Sequence, residues 1–488
     1  MRRTTRRELV VAAGATALTA AVPPAWGRLT SSRAGIGPGK FLDGVASGEP
    51  GPTAVTFWSR LSTDRPRSGA RLIVATDEGL DDVVATAIVP TGRGINSTLK
   101  ARIGGLDPST EYYFTWQSSN HFSPVGRTRT RPPAGSATPL RFGFSSCQHF
   151  QYGFFSPHQH AAAESLDAYV FLGDYVYERG RVLEGAVRTD RLDANDLSSY
   201  RRKYRTYRTD AGLRELHRLH PVLHIWDDHE IANNYNQSGP QVSASQRIAG
   251  YRAAFEWLPR MVFPAERHRL YKRLSFGTAA EVFLLDTRQY RTGDVDGLPR
   301  HLIDERQLRW LLAGLKTSKA RWKIVAQQVV VAADPFGTGE RRDQWDGYPD
   351  DRARLLGEIE RAGVRDVVFY TGDAHVFLCS LLASDFQALA SNPRRVPAAV
   401  EYVAGSVTSP GTIRSEAEAR TSAPWIQQYN GRDHGYALVT ADQANLVTEF
   451  RRSDLASPTG ATIGFERFTQ PAGLNRVARE VLAPSIDR

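Results

Sequence analysis

The stretch that decides the fold runs from Ala168 to Glu178 and has the sequence AYVFLGDYVYE. Its first five residues are apolar or aromatic, which predicts a buried β-strand. Gly173 then permits a sharp turn, and Asp174 and Tyr177 follow at once. A short hydrophobic strand of this kind is typical of a sheet covered on both faces, so the stretch predicts an α/β domain with polar side chains at a strand end.

Two more stretches repeat this arrangement. The apolar residues 222–226 lead into Asp227, Asp228 and His229, and residues 366–371 lead into Gly372-Asp373-Ala374-His375. Strand ends on one edge of a sheet lie close together, so four aspartates, two histidines and a tyrosine should meet there. That many like charges in one crevice are costly unless cations lie between them. The sequence therefore predicts a site with more than one metal ion, and such sites commonly cleave phosphate esters.

A fourth strand end carries Ser145-Ser146-Cys147-Gln148, in which Cys147 is either a thiolate ligand or a small buried residue. Asn233 and Asn234 follow the second stretch and could supply a neutral oxygen ligand or a phosphate contact. Each motif alone is a weak indication. Their combination at four strand ends of one α/β domain favours an active site, because such sheets place active sites there.

The composition excludes several classes of protein. The chain has 488 residues, of which 41% are hydrophobic and 23% charged, so two globular domains are expected and disorder is not. The net charge of +10 comes mostly from arginine, which fits either a surface that attracts anions or a genome that favours arginine codons. No dense basic run alternates with aromatic residues, so nucleic acid is an unlikely partner except as a substrate. With only Cys147 and Cys379, a disulfide framework is excluded, although one bridge between them stays open.

The N-terminus has the pattern of an export signal. Thr5-Arg6-Arg7-Glu8-Leu9 is a twin-arginine motif, and an apolar run over residues 9–22 precedes small residues. The run is shorter than the roughly 20 residues that a membrane span needs. The sequence thus predicts a signal peptide over residues 1–30, a partner in the twin-arginine export machinery, no transmembrane segment, and a protein secreted in folded form.

The mature chain should contain two domains and a tail. Short alternating strands and turns predict an N-terminal β-sandwich domain over residues 38–132, and its run from Gly105 to Tyr113 resembles the tyrosine corner of an immunoglobulin-like or fibronectin-III-like module. Strands alternate with helices over residues 138–455, which predicts the catalytic α/β domain. Residues 456–488 are expected to form a tail with a helix near its end.

Seven motifs together resemble the PhoD-type alkaline phosphatase/phosphodiesterase family, which belongs to the calcineurin-like metallophosphoesterase superfamily. They are SSCQ (145–148), GDYVYE (173–178), WDDHEIANN (226–234), LDTRQYR (285–291), WDGY (345–348), GDAH (372–375) and DHGY (433–436). The likeness covers nearly the whole mature chain. It implies a four-layer metallophosphoesterase β-sandwich flanked by helices and preceded by a small all-β domain, in place of the doubly wound sheet that strand and helix alternation suggests.

The resemblance also implies a set of ligands and roles. It implies Fe(3+) bound by Cys147, Asp174, Tyr177 and His375, and Ca(2+) bound by the bridging Asp174 with Asp228 and Asp373. It makes His229 and Asp174 catalytic, with His229 protonating the leaving oxygen while a metal-bound hydroxide attacks phosphorus. It places four residues at the phosphate ester substrate, namely Asn233, Asn234, Arg288 and His434. What Arg288 and His434 each do there stays open. The role of Asp227, as a ligand or behind the ligands, stays open.

The resulting function is a secreted, metal-dependent phosphoric ester hydrolase, expected to be a monomer. One alternative is a phosphodiesterase or phospholipase D-like activity at the same metal site. A second is an exported binding protein whose catalytic domain is inactive. A serine hydrolase is set aside, because the chain has no Gly-x-Ser-x-Gly elbow.

Overall fold

The computed structural model describes residues 20–21, 35–180, 186–237, 242–262, 268–293, 300–333, 343–392 and 394–483. Contacts divide the chain into two compact units. The first comprises the chain up to Pro132 with Arg214–Val222 and Phe255–His268, and the second comprises the remainder. Apart from residues 20–21, the predicted signal peptide lies outside the described residues. The predicted domain limits, 38–132 and 138–455, stay predictions.

The first unit contains two sets of antiparallel strands. One has the strand order β1-β6-β3-β2 and the other β5-β4-β7-β8. Their bounds are β1 (Ala20–Ala21), β2 (Val45–Gly48), β3 (Ala54–Arg60), β4 (Arg67–Ala75), β5 (Val83–Gly92), β6 (Thr98–Gly104), β7 (Glu111–Gln117) and β8 (Gly126–Arg129).

Aromatic packing joins these two sheets into a sandwich. Phe57 of β3 meets Phe114 of β7 edge to face, with ring centroids 4.8 Å apart. The Tyr112 hydroxyl accepts a hydrogen bond of 2.8 Å from the Asp107 amide, and so ties the preceding loop to the strand. This is the tyrosine corner that the sequence predicts.

The second unit contains two larger sheets. In the first, the strands are hydrogen-bonded in the order β11-β10-β9-β19-β20-β21-β22, and in the second the order is β12-β13-β14-β15-β17-β16-β18. Their bounds are β9 (Leu140–Ser145), β10 (Ala168–Phe171), β11 (Pro221–His224), β12 (Lys272–Phe276), β13 (Ala280–Leu284), β14 (Trp322–Gln327), β15 (Val367–Thr371), β16 (Phe377–Leu382), β17 (Ala399–Ala404), β18 (Ile426–Asn430), β19 (Gly435–Ala441), β20 (Asn445–Ser453), β21 (Thr462–Pro471) and β22 (Ala478–Val481).

Helices cover the outer faces of these sheets. The helices of the described chain are α1 (Ser156–Ala163), α2 (Leu197–Tyr207), α3 (Ala211–Leu219), α4 (Ala244–Trp257), α5 (Glu305–Thr317), α6 (Pro349–Arg361), α7 (Phe386–Ser391) and α8 (Glu416–Ser422). The two sheets face each other through stacked rings of Phe144 and Tyr370, with centroids 4.1 Å apart. Leu308 and Leu311 of α5 join the core on the far side of the second sheet, and α1 packs on β19 to β21. The four-layer prediction is confirmed.

The direction of the strands determines where the loops meet. Strands β9 and β10 are parallel, and β13, β14, β15 and β17 are parallel in the other sheet. The carboxyl ends of parallel strands lie at the same edge, so the loops that follow them converge. These loops carry the predicted site residues.

Within the described part of the tail, up to residue 483, the structure contains strands where the sequence analysis expected a helix. Residues after Asp454 form β21, which pairs antiparallel with β20, and β22, which pairs with β21. In β21 the side chains of Phe465 and Phe468 are buried, and the aromatic residues extend the hydrophobic face of the sheet. Tertiary pairing therefore outweighs any local helical tendency in this segment.

Two further expectations concern the cysteines and the membrane. Cys147 and Cys379 are both free and buried, so they form no disulfide. Among the helices of the described residues, none combines the length and apolar character needed to cross a membrane.

Candidate metal centre

Three strand-end loops are joined tightly at the base of the site. The Cys147 amide donates to the Gly173 carbonyl at 3.2 Å, which links the loops after β9 and β10. Gly173 has φ +109°, and a Cβ there would lie 2.4 Å from the Cβ of Asp227. Only glycine fits this approach, and the loops after β10 and β11 are thereby brought into contact.

The first part of the centre, the thiol–phenol side, consists of Cys147, Tyr177 and His375 with Asp174. Ligand atoms of Cys147, Asp174 and His375 all lie within 4.8 Å of one another. The Tyr177 hydroxyl donates to Asp174 Oδ2 at 2.9 Å and lies 3.4 Å from His375 Nε2. One ion could therefore contact a thiolate, a phenolate, a carboxylate and an imidazole at once.

The hydrogen bonds of His375 leave one ring nitrogen available to a metal. Its Nδ1 lies 2.9 Å from the Pro410 carbonyl oxygen, which can only accept a hydrogen bond. In the neutral imidazole the hydrogen is therefore on Nδ1, and Nε2 presents its lone pair toward Tyr177.

The second part, the carboxylate side, consists of Asp227, Asp228 and Asp373, whose carboxylate oxygens also lie within 4.8 Å of one another. Asp174 forms a third such group with Asp228 and His229. Asp174 thus belongs to both sides, which is the arrangement expected of a carboxylate that bridges two cations. One oxygen of Asp227, Oδ2, is buried without a hydrogen-bond partner.

Arg288 is embedded in the carboxylate side. Its guanidinium contacts Asp227 and donates to Asp373 at 2.9 Å and to both oxygens of Asp343 at 2.8 Å. It lies 3.9 Å from Asp228 and is fully buried. These carboxylates are therefore partly neutralised by the protein itself. In contrast, no lysine or arginine within the described ranges forms an ion pair with Asp174.

The backbone of the centre is held in a conformation that costs energy. Cys147, Asp174, Asp373, His375 and Asn234 have φ angles of 59°, 55°, 57°, 56° and 54°. For a residue with a side chain this left-handed conformation costs on the order of 1 kcal/mol or more. Strain of this kind persists where surrounding contacts impose it, and here it coincides with the candidate ligands.

Glu230 supplies part of that restraint. Its carboxylate is completely buried and accepts hydrogen bonds from the backbone amides of Asp174 at 3.1 Å, Tyr175 at 2.7 Å and Asp227 at 2.9 Å. One side chain therefore fixes the two loops that carry three candidate ligands.

The electrostatics of the thiol–phenol side favour a cation. Burial, followed by the charge of Asp174, raises the pKa of Cys147 and of Tyr177 well above the ordinary values. Burial and then Asp228 raise the pKa of Asp174 in the same way. Each of these groups resists losing its proton, first because it is buried and second because negative charge lies beside it, and a multivalent cation would offset both effects.

Above these donors lies an open hollow of about 260 Å³. It is lined by Asp174, Asp228, His229, Asn233, Asn234, Asp343, Gln344, Asp373, Ala374, His375, Pro410, Gly411 and Thr412. His229 Nδ1 lies 2.7 Å from a Glu178 oxygen, which orients the ring. Burial opposes protonation of His229, but Asp228 and Glu178 outweigh it and raise the pKa of His229 to about 9.

The structure brings most of the predicted residues together. Asp174, Asp228, His229, Asn233, Asn234, Asp373 and His375 line the hollow, and Cys147 and Tyr177 lie deeper. Two predicted substrate contacts do not line it. Arg288 is bound by carboxylates, and His434 lines a neighbouring cavity with its Nδ1 2.9 Å from the Ser406 hydroxyl.

Sequence reasoning gave no role to Glu178, Glu230, Asp343 or Ser409. Glu178 is the last residue of GDYVYE, and Glu230 directly follows His229 in WDDHEIANN. A glutamate next to predicted ligands in a motif could therefore have indicated both residues. The Ser409 hydroxyl lies 2.7 Å from that of Tyr177 and donates to the Cys147 carbonyl at 2.8 Å. No local pattern marks Ser409 or Asp343.

The layered fold and the shared carboxylate define the class of protein, a phosphoric ester hydrolase with a metallophosphoesterase fold. Family models agree with this class. The description "PhoD-like phosphatase" matches residues 142–450, and "PhoD-like phosphatase, N-terminal domain" matches residues 28–132. The chain therefore belongs to the PhoD-like phosphatase family.

Individual relatives support the same family. Alkaline phosphatase D of Bacillus subtilis (strain 168) is 32% identical over 467 residues, covering 87% of this chain and 79% of the relative. A solved structure of PhoD has a TM-score of 0.84 at 29% identity, covering 92% of this chain and 93% of that one. A purple acid phosphatase from yellow lupin (Lupinus luteus) seeds shares the fold, with a TM-score of 0.60 at 14% identity over 87% of this chain and 73% of that one.

Proposed function

We propose that this chain is a secreted phosphatase of the alkaline phosphatase D type whose centre holds Fe(3+) and Ca(2+). The single observation that supports this best is Asp174, whose carboxylate belongs both to the group with Cys147 and His375 and to the group with Asp228 and His229. Twin-arginine export, which carries folded proteins, fits a centre loaded with metal before transport.

The donor chemistry fits two different ions. Thiolate and phenolate donors suit a trivalent iron, and Cys147, Asp174, Tyr177 and His375 would hold it. An oxygen-only set suits calcium, and Asp174, Asp228 and Asp373 would hold it. The unpartnered Oδ2 of Asp227 makes this residue a further candidate on the carboxylate side. When bound, the ions supply a nucleophilic hydroxide at moderate pH and neutralise the charge of the phosphate.

The protein's own groups orient the substrate and move a proton. Glu178 accepts the Nδ1 hydrogen of His229, so Nε2 is the nitrogen left to donate a proton to the leaving oxygen. The backbone N–H of Asn233 donates a hydrogen bond to Glu178 at 3.1 Å. This bond fixes the loop, and the side chains of Asn233 and Asn234 line the hollow. Their amide groups would contact phosphate oxygens. Arg288 acts behind the ligands as a counter-charge, in place of the substrate contact predicted for it.

Phosphodiester hydrolysis is the second candidate, since the same centre can serve both ester classes. The test uses mature protein loaded with iron and calcium and two substrates, p-nitrophenyl phosphate and bis(p-nitrophenyl) phosphate. The proposal is supported if wild-type protein hydrolyses at least one of the two substrates and the Asp174→Ala variant loses both this activity and both metals. Unchanged turnover in that variant would remove it. No observation favours an inactive binding protein.

A further inference from the structure

A second cavity, larger than the hollow above the candidate ligands, adjoins that hollow. It has a volume of about 730 Å³ and shares Pro410 and Gly411 with the hollow. Gly411 lies close over the backbone of His375, because a Cβ on Gly411 would lie 2.3 Å from the His375 carbonyl oxygen. A volume of this size falls in the range of small-molecule sites, whereas a phosphate group alone needs only the hollow.

The walls of this cavity collect exposed apolar side chains. Eleven large hydrophobic residues are exposed among those described, and four of them line this one cavity, namely Tyr152, Val187, Ile413 and Ile463. Ile413 has 71% of its surface exposed. Single exposed apolar residues need no explanation, but their concentration beside an active site indicates contact with an apolar ligand.

The charged groups of the cavity cancel. Arg432 and Arg452 are matched by Asp433 and Asp454, and Arg452 lies 3.4 Å from Asp433. Burial lowers the pKa of His434 to about 4, so this ring is neutral near pH 7. The lining therefore offers no excess positive charge to a second phosphate or a polyanion.

We infer that this cavity binds the organic group that a phosphodiester substrate keeps on phosphorus, and that it selects an apolar aryl or alkyl group over a nucleoside. This rests on the proposed function. His229, the proposed proton donor to the leaving oxygen, does not line the cavity. Pro410, whose carbonyl oxygen accepts a hydrogen bond from His375, does line it. A group bound there would extend from phosphorus past Pro410 and Gly411, whereas the leaving group would lie at His229. His434 is then a lining residue of this subsite.

The test holds the leaving group constant and varies the retained group. Loaded enzyme is assayed with p-nitrophenyl phosphate and with its methyl, phenyl and thymidine 5′ diesters, all of which release p-nitrophenolate. We expect kcat/KM for the phenyl diester to exceed that for the methyl and thymidine diesters at least about tenfold, as burial of an aromatic ring allows. In the double variant Ile413→Asp, Ile463→Asp the phenyl-to-methyl ratio should fall to about one.

The matched control is Ile248→Asp. Ile248 lies on α4, has 54% of its surface exposed and lines neither cavity, so this variant should keep the wild-type ratio. Equal kcat/KM for the three diesters, or a ratio that survives the double variant, would overturn the inference. Turnover of the monoester with no preference among diesters defeats this inference alone. No turnover of any ester by metal-loaded protein defeats the proposed function as well.

Discussion

The thiol–phenol side and the carboxylate side of the centre lie next to each other and share Asp174. They differ in how far protein cations neutralise their negative charge. Cys147, Tyr177 and Asp174 all have raised pKa values, and no described lysine or arginine pairs with Asp174. On the carboxylate side, buried Arg288 already contacts Asp227, Asp343 and Asp373, although burial still raises the pKa of Asp227 well above its ordinary value. From this difference we expect the first side to need a bound ion of high charge, while the second can hold its ions more weakly.

The largest expected effect comes from the residue that belongs to both sides. Asp174→Asn should remove metal from both sides and lower kcat/KM at least about 1,000-fold, because several kcal/mol of transition-state stabilisation are lost. Metal analysis and kinetics together check this. Asp304→Asn is the control, since asparagine replaces aspartate at the N-cap of α5 without loss. Retention of one full metal equivalent by Asp174→Asn would show that the two sides are independent.

A chelator should separate the two sides. We expect EDTA to strip the carboxylate side first and to lower activity about 100-fold, with recovery on addition of calcium, because oxygen-only sites exchange their ions readily. Iron should remain bound after dialysis. Simultaneous loss of iron and calcium would contradict the difference in ion retention.

Removal of one phenol should affect only the thiol–phenol side. Tyr177→Phe keeps the ring but loses the hydroxyl, so it should abolish visible tyrosinate-to-iron absorption and lower kcat/KM about 10- to 100-fold. Calcium content should be unchanged. Tyr175→Phe, at a buried tyrosine whose ring stacks on Tyr204, should keep the colour. A coloured Tyr177→Phe enzyme would exclude this tyrosine as a ligand.

The smallest effect on turnover, and the clearest on stability, should come from Arg288. Arg288→Gln leaves buried carboxylates unpaired, at a cost of roughly 3–5 kcal/mol. The metal-free protein should melt roughly 5–10 °C lower, and calcium should restore more stability to the variant than to the wild type. Arg354→Gln breaks only an exposed pair with Glu305 and should shift Tm little. An unchanged Tm in Arg288→Gln would mean that these carboxylates need no counter-charge.

Much of the fold and the gathering of the ligands could be predicted from the sequence. Asp174, Asp228 and Asp373 each follow a short, mainly apolar strand, which predicts polar side chains at strand ends. The sequence pattern does not show that Asp373 follows a strand of a different sheet from the other two. The choice of iron and calcium came only from family resemblance, because a run such as GDYVYE indicates hard anionic ligands without specifying the metal. The thiol of Cys147 was equally compatible with a simple core residue until the loops were seen together.

Other features depend on tertiary contacts that no local pattern reports. The motif of Arg288 predicts a substrate contact, whereas the structure shows its guanidinium buried among Asp227, Asp343 and Asp373. Glu230 was missed because its partners are backbone amides, which carry no sequence signal. The strands β21 and β22 have no clear local signal, because β21 forms by pairing with β20 and β22 by pairing with β21.

The most direct test is elemental analysis of the mature protein isolated without chelators, together with its visible spectrum. We predict one iron and at least one calcium per chain, and an absorption band that disappears in Tyr177→Phe. A colourless, iron-free protein that hydrolyses p-nitrophenyl phosphate at full rate would contradict it.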